Sequence, residues 1–311
     1  MEYITLKNSD LRVSRLCMGG CPMGGHGWGI VQEQELINAV HAALERGINF
    51  FDTADTYGLG QSERTLGRAL GSRRHKAVIA TKFGVRVENG STFYDNSPQW
   101  IRTACENSLR RLDTDYIDLY QIHYRDGITP MDEVMEVLQD LRREGKIRHF
   151  GLSNLGSEAL QDLKPYRGQF VSLQNQYSLA CRDHEQDMIT MSEEMDLNPM
   201  TWGSLGQGVL TGKYDRHVTF GSDDRRSREI YVNFHGEKLL KNLQIVEVLR
   251  QVAARYNKPV SAIAVRFILD NLPGSVVLSG AKRPEQILAN GEALGWKLDE
   301  EMLRELEYIS R

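Results

Sequence analysis

Two rhythms of apolar and polar positions alternate along this chain. Short apolar runs lie at Ile48–Phe51, Ala77–Ala80, Tyr116–Ile122, His149–Leu152, Phe170–Leu173, Asn198–Trp202 and Val276–Leu278, and they read as strands. Between them apolar residues recur every three or four positions, which predicts helices. One runs from Gln34 to Arg46, with Leu36, Ile37, Val40, Ala43 and Leu44 on one face and Gly47 as its stop. Others cover Ser62–Leu70, Glu158–Leu163, Asp183–Met195, Pro284–Gly291 and Asp299–Ile309. Ser97 before Pro98 predicts a capped helix with Ile101, Cys105, Leu109 and Leu112 facing inward. Thr129-Pro130 predicts a second capped start, for a helix reaching Arg143. Tyr3–Leu6 and Leu11–Leu16 around Lys7-Asn8-Ser9-Asp10 read as an N-terminal hairpin.

Strands that alternate with helices give parallel βαβ units. Repeated about eight times, they close most simply into an (α/β)8 TIM barrel. Between the seventh and eighth strands lies an insert. Its polar part, 213–236, reads as a solvated loop around the charge run Asp223-Asp224-Arg225-Arg226-Ser227-Arg228, and two extra helices follow at 237–256 and 259–270. No linker or repeat divides the chain, so residues 1–311 read as a single domain.

Composition narrows the function classes without naming one. A net charge of −4 gives no reason to expect nucleic acid or an anionic membrane. The four cysteines, Cys17, Cys21, Cys105 and Cys181, have no partner spacing for zinc and read as free thiols. Neither a signal sequence nor an apolar run long enough to span a bilayer is evident, so the expectation is a soluble cytoplasmic protein without metal.

In a barrel of this kind ligands bind at the carboxyl ends of the strands. Asp52, Lys82, His123, Ser153, Asn154, Gln174 and Trp202 all fall at such ends, and Tyr57 follows Asp52 by five residues. Each alone is weak; their shared position makes one candidate pocket. A phenol titrates near 10, and a close ammonium lowers that value while burial raises it. Lys82 is the candidate cation and Asp52 its support. His123 is placed to hydrogen-bond a substrate oxygen. The set suits protonation of a carbonyl oxygen by Tyr57, hence carbonyl reduction or its reverse.

A reduction needs a hydride, and no Gly-x-Gly-x-x-Gly follows the first strand. Trp202 is suited to stack on a flat ring, and Ser153, Asn154 and Gln174 to bind a carboxamide. Lys282 and Arg283, ahead of the helix at Pro284, read locally as two exposed charges, and their place at a helix start also suits a phosphate. The glycine-rich stretch Gly19–Gly29 reads either as a connector or as backbone that approaches a ligand closely. Met23, Trp28, Tyr94 and Tyr124 are candidates for the pocket mouth, and His26 and Arg125 for contacts to substrate hydroxyls.

Six stretches carry a resemblance: Phe51-Asp52-Thr53-Ala54-Asp55-Thr56-Tyr57-Gly58, Thr81-Lys82-Phe83-Gly84, Tyr120-Gln121-Ile122-His123, Gly145–Arg148 with Gly151–Asn154, Leu205–Tyr214, and Gly280–Gln286. In this order, over residues 3–309, they are similar to the aldo-keto reductase superfamily, nearer its bacterial and potassium-channel β-subunit branches than aldose reductase. The resemblance implies an NADP(H)-dependent oxidoreductase, with NADP(H) favoured over NAD(H), acting on aldehyde, ketone or sugar carbonyls. It implies a tetrad of Asp52, Tyr57, Lys82 and His123. It puts the nicotinamide against Trp202 and its carboxamide on Ser153, Asn154 and Gln174. It gives Gly20 a place in the cofactor site and assigns Gly203, Ser204, Leu205, Gln207 and Lys213 to the pyrophosphate. Gly280, Lys282, Gln286 and Asn290, with Arg283 nearby, fall to the 2′-phosphate end, and one of Arg225, Arg226 and Arg228 to a clamp. Trp28 and Tyr124 join Tyr57 and His123 as substrate-pocket residues. The chain departs from its branch at Gly203-Ser204, where Ser-Pro is common, and at Ala289, where Glu is common. Two competing readings are a cofactor-binding regulatory subunit and an aldolase with Lys82 as a Schiff-base lysine.

Overall fold

The computed structural model of the chain describes residues 1–25 and 27–311. Its first element is the antiparallel pair β1 (Tyr3–Thr5) and β2 (Arg12–Ser14). Eight strands then form a closed parallel barrel: β3 (Leu16–Gly19), β4 (Phe50–Asp52), β5 (Val78–Phe83), β8 (Ile117–Ile122), β9 (Ile147–Ser153), β10 (Phe170–Gln176), β11 (Asn198–Trp202) and β12 (Val276–Gly280), which pairs back onto β3. A second hairpin, β6 (Val85–Glu88) and β7 (Ser91–Tyr94), stands outside the barrel.

The helices are α1 (Glu33–Arg46), α2 (Gln61–Leu70), α3 (Pro98–Leu112), α4 (Met131–Arg143), the single turn α5 (Leu160–Leu163), α6 (Glu185–Glu194), α7 (Gly236–Tyr256), α8 (Val260–Asn271), α9 (Pro284–Gly291) and α10 (Glu300–Ser310). Ser97 caps α3 as the sequence predicts, accepting from the Trp100 N–H at 3.3 Å. Thr129 does not cap α4. Pro130 takes that position, and the Thr129 hydroxyl donates to Asp126 Oδ2 at 2.6 Å instead.

Strand period decides what each end of the barrel contains. Phe50, Ala80, Leu119 and Met200 point inward and join Cys17, Val171 and Val276 in an inner apolar cluster. Leu6, Leu11 and Val13 from the first hairpin belong to that cluster and plug the amino-terminal end. Two residues further along the same strands come Asp52, Lys82, Gln121 and Trp202. A period of two keeps them on the same inner face, now at the carboxyl end. The alternate residues Phe51, Ile79 and Tyr120 face outward into the larger core with the helices.

Three sequence expectations change. The first barrel strand is Leu16–Gly19, not the run ending at Leu16, because Gly19 pairs with Gly280 and Asp52. The hairpin at 85–94 was not foreseen, although Asn89-Gly90 between alternating residues is its signal. Nor is 213–236 simply solvated: Asp224 and Arg226 are buried. Among the described residues no helix is long and apolar enough to cross a membrane, all four cysteines are free, and no cluster suits a metal.

Candidate active site

A cavity of about 840 Å³ opens at the carboxyl ends of the strands, within the usual size of ligand pockets. At its base Asp52 is buried and fully engaged. Its Oδ1 accepts from Lys82 Nζ at 2.6 Å, and its Oδ2 accepts from Gln174 Nε2 at 2.8 Å and Gln121 Nε2 at 3.0 Å. Lys82 also donates to the Thr53 carbonyl at 2.9 Å. A buried ion pair is tolerated only when its remaining polar atoms are satisfied, and here they are. Lys82 is fully buried behind Asp52 and does not line the cavity, which removes the support for a Schiff-base lysine.

Tyr57 lines the cavity, with the Lys82 ammonium 5.1 Å from its ring centroid. Its loop is set by backbone contact with the glycine-rich stretch. A Cβ on Gly58, at φ 61°, would sit 2.1 Å from the Gly24 carbonyl oxygen, and one on Gly24 would sit 2.7 Å from the Gly58 nitrogen. These glycines therefore serve close packing of backbone on backbone. Gly20 does line the cavity, and its N–H donates to the Asp52 carbonyl at 2.6 Å.

The expectation that Lys82 lowers the Tyr57 pKa is not met. Burial pushes the phenol well above its ordinary value, and the charges of Cys21, Asp52, Tyr124 and Asp55 add to the rise. The reason is local: the lysine's charge is matched at 2.6 Å by Asp52. Tyr57 is thus a firm proton holder at neutral pH. His123 is pushed well down, by burial and then by the Lys82 charge, so its imidazole is neutral. Its ring stands edge-on to Tyr57 at 6.1 Å, and its Nδ1 is buried with no partner among the described residues.

On the next wall, Asn154 Nδ2 donates to the His123 carbonyl and to Ser153 Oγ, both at 3.1 Å, and its Oδ1 accepts from the Trp202 indole at 3.1 Å. This chain fixes the plane of Trp202 in the cavity. Ser153 Oγ donates to the Gln174 carbonyl at 2.9 Å. Gln174 lines the cavity as expected, but its amide nitrogen is committed to Asp52.

The far end is cationic. Lys213, Arg225, Arg226 and Lys282 line the cavity with Gly203, Ser204, Leu205, Gln207, Gly280, Gln286 and Asn290. Burial and then repulsion from Arg226 and Lys213 lower the Lys282 pKa, with Asp224 acting in the opposite sense. The roof is stitched across it. Arg225 N donates to Gly27 O at 3.0 Å, Lys282 Nζ donates to Trp28 O at 2.7 Å, and Arg226 pairs with Asp224 at 2.6 Å. The Arg226 guanidinium also lies 4.3 Å over the Phe220 ring. Among the three clamp candidates, Arg225 and Arg226 reach the cavity and Arg228 does not.

Three further expectations are revised, and a fourth falls on a residue that is not described. Arg283 does not line the cavity. Met23 is buried in the outer core, where it packs rather than meeting a ligand. Arg125 turns away to the Thr129 carbonyl at 2.6 Å. His26 lies outside the described residues. Trp28, Tyr94 and Tyr124 do line the mouth. So do Val85, Val87, Thr92, Tyr231 and Glu285, which sequence reasoning missed because their elements or their rim position were not recognised.

The sequence model described as the Aldo/keto reductase family matches residues 15–311. A protein of Escherichia coli (strain K12) named NADH-specific methylglyoxal reductase is 33% identical over 98% of this chain and 98% of its own length. The solved glycerol dehydrogenase AKR11B4 from Gluconobacter oxydans superposes with a TM-score of 0.89 at 36% identity, covering 99% of this chain and 94% of that one. An aldo-keto reductase from Klebsiella pneumoniae, solved in complex with NADPH, gives a TM-score of 0.77 at 27% identity, covering 100% and 96%.

Proposed function

We propose, starting from the fact that the chain belongs to the aldo/keto reductase family, that residues 1–311 form one NADP(H)-dependent reductase of aldehyde and ketone carbonyls. The observation that carries this reading is a cavity that runs from Tyr57, beside the Asp52–Lys82 pair, to a cationic end where Lys213, Arg225 and Lys282 have no ion-pair partner among the described residues. That cavity fits a dinucleotide: Trp202 offers a fixed flat face at one end, and Lys213, Arg225 and Lys282 offer charge for phosphates at the other.

The nicotinamide, when bound, supplies the hydride. Tyr57 gives its phenol proton to the substrate oxygen as negative charge develops there. Lys82, matched by Asp52, gives the phenolate little net stabilisation and fixes the base against which the Tyr57 ring sits. His123, neutral and beside Tyr57, hydrogen-bonds the same oxygen without competing as an acid. Ser153, Asn154 and Gln174 orient the carboxamide. Gly203 to Gln207 and Lys213 hold the pyrophosphate, with Gly20 at the cavity wall. Gly280, Lys282, Gln286 and Asn290 take the 2′-phosphate end, with Arg283 flanking it. Arg225 and Arg226 close over the cofactor. The surplus positive charge favours NADPH, even though the E. coli relative is named NADH-specific.

The test is Tyr57→Phe with NADPH and a panel of aldehydes and ketones. Turnover is expected to fall at least about 100-fold, while the NADPH dissociation constant, read by fluorescence titration, stays within about threefold. Undiminished turnover would overturn the assignment. A wild-type protein that binds NADH more tightly than NADPH would overturn the cofactor preference.

A further inference from the structure

The β6–β7 hairpin has no part in the acid–base network or the cation cluster, yet it forms one wall of the cavity. Its register pairs Val85 with Tyr94 and Val87 with Thr92. Directly opposed residues share a face, and all four of these line the cavity. The turn Asn89-Gly90 has positive φ at both residues, 51° and 78°, which suits the right-handed twist of a two-residue hairpin. The outer face is fastened by Arg86, which donates to Asp95 Oδ2 at 2.9 Å and lies 4.7 Å over the Trp100 ring. The inner face is therefore held in place before any substrate arrives.

That face carries no charge. The cavity's cations come from the insert and from the β12 end, and its carboxylates are Asp52 in the base and Glu285 at the α9 start. Along the hairpin side, aromatic rings succeed one another outward from the reacting end. His123 meets Tyr57 at 6.1 Å and Tyr124 at 5.0 Å, and Tyr124 stacks on Tyr94 at 4.9 Å with only 14° between planes. Flat rings favour such offset stacks, and uncharged surface is favoured against Val85 and Val87. A polyhydroxylated carbonyl would bring several hydroxyls to this wall, where only Thr92 and the two tyrosine hydroxyls offer partners. Each hydroxyl left unmatched costs affinity.

We propose that this hairpin is the element that selects the substrate, and that it selects an aryl aldehyde, with the carbonyl at Tyr57 and His123 and the ring along Tyr124 and Tyr94. The inference rests on the reductase reading above and deepens it. Tyr94 is a specificity residue here, not part of the proton transfer.

The test compares 4-nitrobenzaldehyde with glyceraldehyde, both with NADPH, in the wild type and in Tyr94→Ala, Tyr94→Phe and Phe93→Ala. The wild type is expected to favour the aryl aldehyde in kcat/KM by at least about tenfold. Tyr94→Ala should remove most of that preference through the aryl substrate alone, leaving glyceraldehyde within about twofold. Tyr94→Phe keeps the ring and should keep the preference. Phe93→Ala, on the outer face, should leave both unchanged. A wild type that favours glyceraldehyde, or a Tyr94→Ala variant that lowers both substrates equally or neither, would overturn the proposal and leave the reductase reading standing. Absence of turnover with both aldehydes would overturn the reductase reading, and this proposal with it.

Discussion

The base of the cavity and its roof are built by different physics. The base is made of strand ends: Asp52, Lys82, Gln121 and Gln174 are carried by barrel strands, and their buried polar atoms satisfy one another. The roof is made of loops: the stretch around Gly27 and Trp28, the segment Asp224–Arg226 and the Lys282 side chain, joined by two long-range hydrogen bonds, from Arg225 to Gly27 and from Lys282 to Trp28. A base of this kind cannot shift without breaking the barrel. A roof of this kind can yield one contact at a time. On the proposed function, chemistry sits on the base and the adjustable grip on an anionic ligand sits under the roof.

Four substitutions would break or sharpen this contrast. The largest effect is expected from Gly58→Ala. The added methyl meets the Gly24 carbonyl at 2.1 Å in a left-handed conformation, so Tyr57 must move. Reductase turnover should fall at least about 100-fold with bound NADPH retained; normal turnover would show that Tyr57 is not held by this contact. Next is Lys82→Met, which leaves Asp52 buried without its counter-ion. A loss of about 3–5 kcal/mol in denaturant unfolding is expected, and an unchanged midpoint would mean that the base does not depend on its ion pair.

Lys282→Ala belongs to the roof and should spare stability. It should weaken NADPH binding about tenfold, more at low salt than at high salt, with NADH much less affected. Equal weakening of both cofactors would place Lys282 away from the 2′-phosphate.

The smallest effect tests a carboxylate that the base leaves unsatisfied. Asp55 lies three residues from Asp52, yet its Oδ1 is buried with no partner among the described residues. Burial, and then the Glu63 charge, push its carboxyl up to about 8. An unfolded aspartate titrates near about 3.9. The folded protein therefore binds the extra proton between those values, and stability falls as pH rises from about 4 to 8. Asp55→Asn should raise Tm slightly at pH 5 and by several degrees at pH 9. A pH-independent Tm difference would contradict this.

The same base-and-roof division explains what could be read from the chain. The strand ends were legible because period and polarity change together there: an apolar run stops at a polar residue, and a barrel puts that residue in the pocket. Ser97 capping α3 and Pro284 opening α9 were legible for the same local reason. The hairpin carrying Tyr94 was missed because Val-Arg-Val-Glu and Ser-Thr-Phe-Tyr are not uniformly apolar, and only Asn89-Gly90 announces it. Arg226 lies in a charge run that reads as solvated, and the resemblance offers it only as one of three clamp candidates. Its burial depends on the carboxylate of Asp224 at 2.6 Å and the ring of Phe220 at 4.3 Å, a folding of the segment on itself that its polar composition does not announce.

By itself the sequence determined the alternating strands and helices, the barrel they close into, and the polar residue at each strand end, because periodicity and chain stops are local properties. Only the tertiary structure decided the surroundings of Tyr57. Burial first, then the charges of Cys21 and Asp52, push its phenol well above the ordinary value, while the Lys82 ammonium is matched by Asp52 at 2.6 Å. The tertiary structure likewise decided which arginines reach the cavity and that the β6–β7 hairpin forms one of its walls, since those depend on how separate segments pack.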